Sequence, residues 1–366
     1  MQTDAALEIA FARGIISESQ ANAIRLLDSE KAAPEMRLYH QEDNDDEGFR
    51  FVTGFSDIFI ALGIIILLTG IVRTGLLDSV GGTFLIAILC WGLSEIVATW
   101  QRRSLPSIVS AAGFVTTISA AVFAHVGSIQ PASLFREPDV VLVFTHNINW
   151  ILPLLLLLSS LFYYWRFRLP FALFISALSF AATIFAGLLN ILDSSQISPA
   201  IIPALVGSGL AIFCSAIFFD AQDPERKTRL SDNAFWLHLV ASPLIVHSIM
   251  WQSAIWLTGS EQFSTQSLDQ AAFPLSIVVL LIFLILMIIA LIINRRAMLV
   301  SSLIYVTLAL TYLGSTTGGY ASAASFVPII LGSGILSIGI GWQALRKIIF
   351  RVLPADRVAP FLNPLI

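Results

Sequence analysis

Long apolar segments, each about the length that crosses a lipid bilayer, constrain this chain more than any other feature. A helix needs about 20 mostly apolar residues to span the hydrocarbon core, and such segments follow one another from Arg50 onward. Hydrophobic residues occupy 57% of the 366 positions and charged residues only 12%, whereas soluble domains carry about 25% charged residues. The sequence therefore predicts an all-α, polytopic transmembrane helix bundle.

Ten segments have the composition of a span, and they pair into five helical hairpins within a membrane domain expected at residues 50–346. The ninth is the weakest, because it is short and ends at Gly314 and at Gly318-Gly319. The expected spans are 51–72, 81–100, 107–127, 148–165, 169–189, 200–219, 233–252, 273–293, 297–313 and 323–344.

Basic residues are distributed unequally between the two sides that these spans define. Of the 20 lysines and arginines, all but Arg73 and Arg136 fall in the N-terminal segment, in the C-terminal tail or in loops after the second, fourth, sixth and eighth spans. Cytoplasmic loops carry the excess of basic residues. Both termini are therefore expected inside, N-in and C-in, which requires an even number of spans.

The basic loops also recur at a nearly constant interval, marked by Arg102, Arg166, Arg229 and Arg295. Internal duplication of a two-helix unit would produce this period, and transporters do contain repeats. Any series of hairpins with short loops would produce it as well, so both explanations stay open.

The residues before the first span predict a small cytoplasmic module. Residues 1–30 are expected to form a helical pair, in which Ser17 and Gln20 have the spacing of a capping box that opens the second helix. Residues 31–49 are expected to be an acidic linker, and 347–366 a cytoplasmic tail. An apolar stripe runs along the second helix: Ala21, Ile24 and Leu27.

Three ionisable residues inside the spans form the candidate site for a solute or an ion: Asp57, Glu95 and His238. A charge at mid-depth costs about 2.5–3.5 kcal/mol on insertion scales, so each should face protein or water. Asp57 and Glu95 are expected at one depth, roughly 10 Å inside the inner end of adjacent helices, where they could share a proton or hold a cation. The alternative is that each bonds a neighbouring hydroxyl or reaches the headgroups. His238 is expected at a similar depth on the seventh span.

Other notable residues are interpreted structurally. Gly207, Ala211 and Ser215 are spaced by four on the sixth span, which favours close helix contact within one chain or in a homo-oligomer. Cys90 and Cys214 are expected to be small core residues. The acidic residues around the third basic loop are expected to be solvated partners of that loop: Asp220, Asp223 and Asp232.

Motifs of common enzyme classes are missing from the sequence. It has no phosphate-binding loop, no His-Glu-x-x-His, no Gly-x-Ser-x-Gly and no cysteine pair with metal spacing. We therefore predict no catalytic residue, no metal site and no cofactor. No basic patch indicates nucleic acid, and the predicted partner is the lipid bilayer.

The N-terminal segment resembles a known family. The residues from Arg13 to Ala21, Arg-Gly-Ile-Ile-Ser-Glu-Ser-Gln-Ala, are similar to the opening of an uncharacterised family of predicted bacterial inner-membrane proteins. Those proteins also place a short cytoplasmic helical pair before a many-helix membrane region. The resemblance covers about the first 25 residues and implies a location in the bacterial inner membrane, without an activity.

Three functional hypotheses follow from these patterns. The first is a transporter of a small solute or an ion, which would be favoured by a continuous water-accessible cavity. The second is a membrane scaffold or sensor that docks a cytoplasmic protein through residues 5–28. The third is an intramembrane enzyme on a lipid substrate, using Asp57 and Glu95, and we favour a protein that is not an enzyme.

The predicted topology is tested by thiol labelling of intact cells. In a chain without its two native cysteines, Ser194→Cys and Thr265→Cys should react with an impermeant maleimide, because both positions are expected outside. Ser29→Cys and Ala359→Cys should stay unlabelled until the cells are opened. Labelling of Ser29→Cys in intact cells would contradict the orientation.

Overall fold

The computed structural model divides into two units, Met1–Gly48 and Phe49–Ile366. The residues that it describes are Arg13, Ser17, Gln20, 54–127, 150–192, 194–223, 226, 228–259 and 265–352. In the first unit the predicted capping box is confirmed, because the Ser17 N–H donates to Gln20 Oε1 at 2.9 Å and the Gln20 N–H donates to Ser17 Oγ at 3.3 Å. The rest of the helical pair, the acidic linker and the end of the tail lie outside the described residues.

The described residues form helices and no strand, which confirms the all-α prediction. A 3₁₀ turn at Leu76–Asp78 precedes the second helix, and a π-helical segment at Glu95–Trp100 extends it. The α-helices are α1 Phe55–Val72, α2 Val80–Ser94, α3 Ser104–Gly127, α4 Ile151–Phe167, α5 Pro170–Ile191, α6 Ser194–Gln222, α7 Arg229–Thr258, α8 Thr265–Ile293, α9 Ala297–Ile340 and α10 Trp342–Val352.

Among the described helices, 7 are long and apolar enough to cross a membrane, and a bent pair at the C-terminal end could form one more span. Large aliphatic side chains cover their outer faces: Ile88 is 66% exposed and Leu336 is 64% exposed. Soluble monomers rarely expose wide apolar surfaces, whereas lipid-facing helices do so necessarily. The fold is therefore compatible with a multi-pass membrane protein.

Four polar turns join these helices on one side, and we call them the basic turns. They lie between α2 and α3, α4 and α5, α6 and α7, and α8 and α9. Among the described residues, each contains one residue other than glycine in the left-handed conformation: Arg102, Arg168 and Arg226 at φ 53°, and Asn294 at φ 59°. A left-handed residue at this position ends a helix and lets the chain reverse. The interval seen in the sequence thus corresponds to a recurring turn.

Helix α9 differs from the prediction, since its 44 residues run through the expected span 297–313 and into the expected span 323–344 without a break. A straight helix of this length would measure about 66 Å. Yet Trp342, just after α9, donates from Nε1 to Oδ1 of Asn294, just before α9, at 2.6 Å. The chain therefore doubles back within α9, and both of its ends lie at the fourth basic turn.

The apolar core follows the chain as consecutive clusters. In the first, Trp91 of α2 contacts Phe114 of α3 and Phe167 of α4, with ring centroids 5.0 and 4.9 Å apart. The second joins α5, α6 and α7, and the third joins α7 and α8 to α9 and α10 around the buried Trp342. Each helix thus packs mainly on helices near it in sequence.

The prediction that Gly207 and Ala211 of α6 lie at a helix contact is wrong. Gly207 and Ala211 are exposed, and a Cβ added at Gly207 would meet nothing within 4 Å. The packed face is the neighbouring one, where a Cβ at Gly209 would lie 2.8 Å from Cγ1 of Ile245 on α7. Small residues occur on both faces of α6, so their spacing alone could not show which face meets α7. Of the two cysteines, Cys90 is buried as expected and Cys214 is exposed.

This geometry predicts different outcomes for two glycines on one helix. Gly209→Leu should lower the thermal unfolding midpoint in detergent, because the side chain would overpack against Ile245 at a cost of roughly 1–3 kcal/mol. Gly207→Leu is the matched control and should leave the midpoint unchanged. Equal midpoints for the two variants would show that α6 does not pack on α7 through Gly209.

Candidate functional site

Asp57 is fully buried on α1 and is bound by an arginine of the first basic turn. Arg103 Nη1 donates to Asp57 Oδ1 at 2.6 Å and to Ser56 Oγ at 2.5 Å. Arg103 directly precedes α3, the helix on which α1 packs. This carboxylate therefore faces protein, as expected. The guanidinium of Arg103 offsets its charge in the low-dielectric interior.

Glu95 begins the π-helical segment and is bound by an arginine near the second basic turn. Arg166, in the last turn of α4, donates from Nη2 to Glu95 Oε2 at 2.7 Å, and Thr99 donates to the same oxygen at 3.2 Å. The side chains of Arg166 and Glu95 are 41% and 31% exposed. Solvent or headgroups therefore reach this pair, and it contributes less stability than a buried one.

The two predicted carboxylates consequently have different guanidinium partners. The first two spans were expected to touch each other, but α1 packs chiefly on α3. Asp57 is bound from the first basic turn and Glu95 from the end of α4. A proton or cation shared between Asp57 and Glu95 stays a prediction.

His238 is fully buried on α7 and lies beside a carboxylate of α6. Its Nε2 is 2.9 Å from Oδ2 of Asp220, and Arg295 of the fourth basic turn donates to both oxygens of the same carboxylate, from Nε at 3.1 and 3.3 Å. Because an ionised carboxylate can only accept, Nε2 carries the proton in this contact. Asp220, His238 and Arg295 form one group, called here the Asp220 cluster.

Asp220 was expected to be solvated, and this prediction is wrong. Its side chain is 10% exposed, and that of Arg295 is 2% exposed; Asp223 is also buried. One signal could have identified Asp220: it stands six residues before Arg226, much as Glu95 stands seven before Arg102. Both carboxylates come shortly before a left-handed arginine and bind an arginine from a later hairpin.

Arginines also bind the backbone at the end of α8. Arg226 of the third basic turn donates to the carbonyls of Asn294 at 2.7 Å and Ile293 at 2.8 Å. Arg346 of α10 donates to the carbonyl of Leu291 at 3.0 Å. The last four carbonyls of a helix have no partner within it, and they are costly to bury unsatisfied. These arginines take the place of the water that would bind a solvated helix end.

Together, these links are called here the arginine layer. It includes one further link, in which Asn233 Nδ2 of α7 donates to the Tyr164 hydroxyl of α4 at 2.7 Å. Its arginines are Arg103, Arg166, Arg226, Arg295 and Arg346. Chemically, the layer holds helices together by charge and backbone capping.

Two further observations on the described ranges concern metal ions and cavities. Among these residues no group of three or more His, Cys, Asp or Glu side chains is placed to hold a metal ion. A cavity of about 230 Å³ lies between α6 and α7, where Val206 of α6 faces Gln252 and Trp256 of α7. None of the three predicted site residues lines it.

No family model, curated protein or solved structure matches this chain. Fold and site therefore define a class and not a family: the helices and their apolar faces are compatible with a multi-pass membrane protein. The resemblance of the N-terminal segment to a family of inner-membrane proteins stays a prediction.

Two charge pairs of the arginine layer should differ in their contribution to stability. Asp220→Asn should lower the free energy of unfolding by about 3–5 kcal/mol, because it leaves Arg295 buried without its counter-charge. Glu95→Gln should cost about 0–1 kcal/mol, as expected for a partly exposed pair. Unfolding in mixed detergent and SDS micelles measures both, and a larger loss for Glu95→Gln would contradict the assignment.

Proposed function

We propose that this chain is a ten-span protein of the bacterial inner membrane, with both termini in the cytoplasm, and that its membrane domain is a rigid scaffold. The scaffold would hold the N-terminal helical pair, residues 1–30, at the cytoplasmic surface for a protein partner. The main support for this proposal is the arginine layer. In this layer the charged side chains of the membrane domain bind one another and helix ends, and so hold the helices together.

The topology is supported by the basic turns. Hydrogen bonds link them to one another or to the helices beside them, as Arg226 links the third turn to the fourth at Asn294. A location of all four basic turns on one side of the membrane agrees with the positive-inside rule, which places arginine-rich turns in the cytoplasm. The doubling back within α9 returns the chain to the same side, as an even number of spans requires.

The scaffold is favoured over a transporter by the state of the candidate carboxylates. A carboxylate that binds a cation or a cationic solute has to be available to that ligand. Asp57 and Asp220 are instead bound by Arg103 and Arg295, so a ligand would have to displace a guanidinium, and that of Arg295 is buried. Breaking such a pair is costly, whereas a rigid anchor benefits from keeping it intact.

The scaffold role is tested by photo-crosslinking in the full-length chain in its native membrane. A photoreactive residue in place of Ile24, on the predicted apolar stripe, should give one discrete protein adduct. The same residue in place of Asn22, on the opposite face, should give none. Leu27→Asp should abolish the Ile24 adduct because it breaks the stripe. Equal adducts at both positions, or lipid adducts alone, would contradict the proposal.

A transporter is the second candidate, and the Asp220 cluster is the observation that favours it. His238 is fully buried beside a carboxylate, and its Nδ1 is one of the buried polar atoms without a hydrogen-bond partner in the described part of the chain. Ionisable groups inside membrane proteins often carry protons. His238 could take up a proton if the cluster opened.

Proton flux into liposomes separates the two candidates. If the protein is a transporter, an imposed pH gradient should dissipate faster than in empty liposomes. This proton flux should be lost in His238→Gln and kept in His247→Gln, because His247 bonds Tyr305 outside the cluster. The scaffold predicts no flux above that of empty liposomes. The third hypothesis, an enzyme on a lipid substrate, has no supporting contact among the described residues.

A further inference from the structure

Helix α10 leaves the bundle at a steep angle. Its axis turns by 67° from the preceding segment Phe326–Ile340. Transmembrane helices are tilted by about 20° from the bilayer normal on average. A helix that turns this far from a span therefore lies nearer to the plane of the membrane than to its normal.

The contacts of the buried face of α10 fix the position of this helix relative to the ends of the spans. Trp342 is bound to Asn294 of the fourth basic turn, and Arg346 is bound to the last turn of α8 at Leu291. The guanidinium of Arg296 also lies over the Trp342 ring, 5.2 Å from its centroid. Helix α10 is thus held at the ends of the spans, beside the basic turns.

The opposite face of α10 is exposed and carries two kinds of side chain. Ala344, Lys347, Ile348 and Arg351 are exposed, and their spacing of three and four places them on one stripe. The large aliphatic side chain of Ile348, 56% exposed, lies between two cations. A soluble acidic partner would satisfy the cations and leave Ile348 unburied. An anionic leaflet satisfies both, because phosphates lie above the acyl layer.

We propose that the exposed face of α10 is a binding site for anionic phospholipid in the leaflet on the side of the basic turns. Lys347 and Arg351 would contact the headgroup phosphates, while Ile348 inserts between the acyl chains. Amphipathic helices with basic polar faces bind membrane interfaces in this way. The site goes beyond the proposed function and does not depend on the scaffold role.

Native mass spectrometry of the full-length chain in detergent tests the site. Phosphatidylglycerol should bind more tightly than phosphatidylcholine with the same acyl chains. Arg351→Gln should weaken phosphatidylglycerol binding about fivefold, since a basic residue near an anionic surface is worth about 1 kcal/mol. Arg73→Gln is the matched control, because Arg73 is also exposed but lies in the turn after α1, and it should leave binding unchanged.

Several results would overturn the inference. Equal affinity for the two lipids, or an equal loss in Arg73→Gln, would show binding that is not specific to α10. Competition by inorganic phosphate alone would indicate an ion site, and a dimer lost in Arg351→Gln would indicate a second copy of the chain. If Arg351→Gln does not fold, the wild-type protein provides the test. Its preference for phosphatidylglycerol should disappear at high salt, because salt screens the contact. A preference that persists at high salt would contradict the site.

Discussion

Arginines compensate for the missing water at one side of this bundle, and the rest of the fold depends on them. A helix that ends within a protein in lipid leaves carbonyls unpaired, and a carboxylate there leaves a charge unpaired. Arg226 and Arg346 bind the unpaired carbonyls at the end of α8. Arg103 and Arg295 bind the buried carboxylates. Guanidinium groups suit this task because they offer several donors in a fixed plane.

The layer also explains how consecutive hairpins stay in register. Its links join residues far apart in sequence: 71 positions for Arg166 and Glu95, 69 for Asn233 and Tyr164, and 75 for Arg295 and Asp220. Each is close to the length of one hairpin with its loops. The structure is thus held by contacts between successive units, as in a repeat protein, whether or not the units arose by duplication. Such locking suits an anchor better than a protein whose halves must move apart.

Much of the fold could be predicted from the sequence, because bilayer thickness sets span length and basic residues mark the turns. The partners could not be predicted. Asp220 was taken as solvated because its basic neighbours are close in sequence, yet its partner Arg295 comes from the next basic turn. The packed face of α6 was assigned to Gly207 instead of Gly209, because small residues lie on both faces. For the site, burial of Asp57 and His238 followed from their depth, whereas the arginines that bind them required the tertiary structure.

The central claim is that arginines of one hairpin bind carboxylates of an earlier one, and a chemical cross-link tests it most directly. In a chain without native cysteines, Glu95→Cys and Arg166→Cys should be joined in intact membranes by a bismaleimide that spans one arginine and one glutamate side chain. The cross-linked peptide, detected by mass spectrometry, should form in high yield. The pair Glu95→Cys and Arg73→Cys, at opposite ends of one hairpin, should remain unlinked. Equal yields for the two pairs, or no link between positions 95 and 166, would contradict the arginine layer.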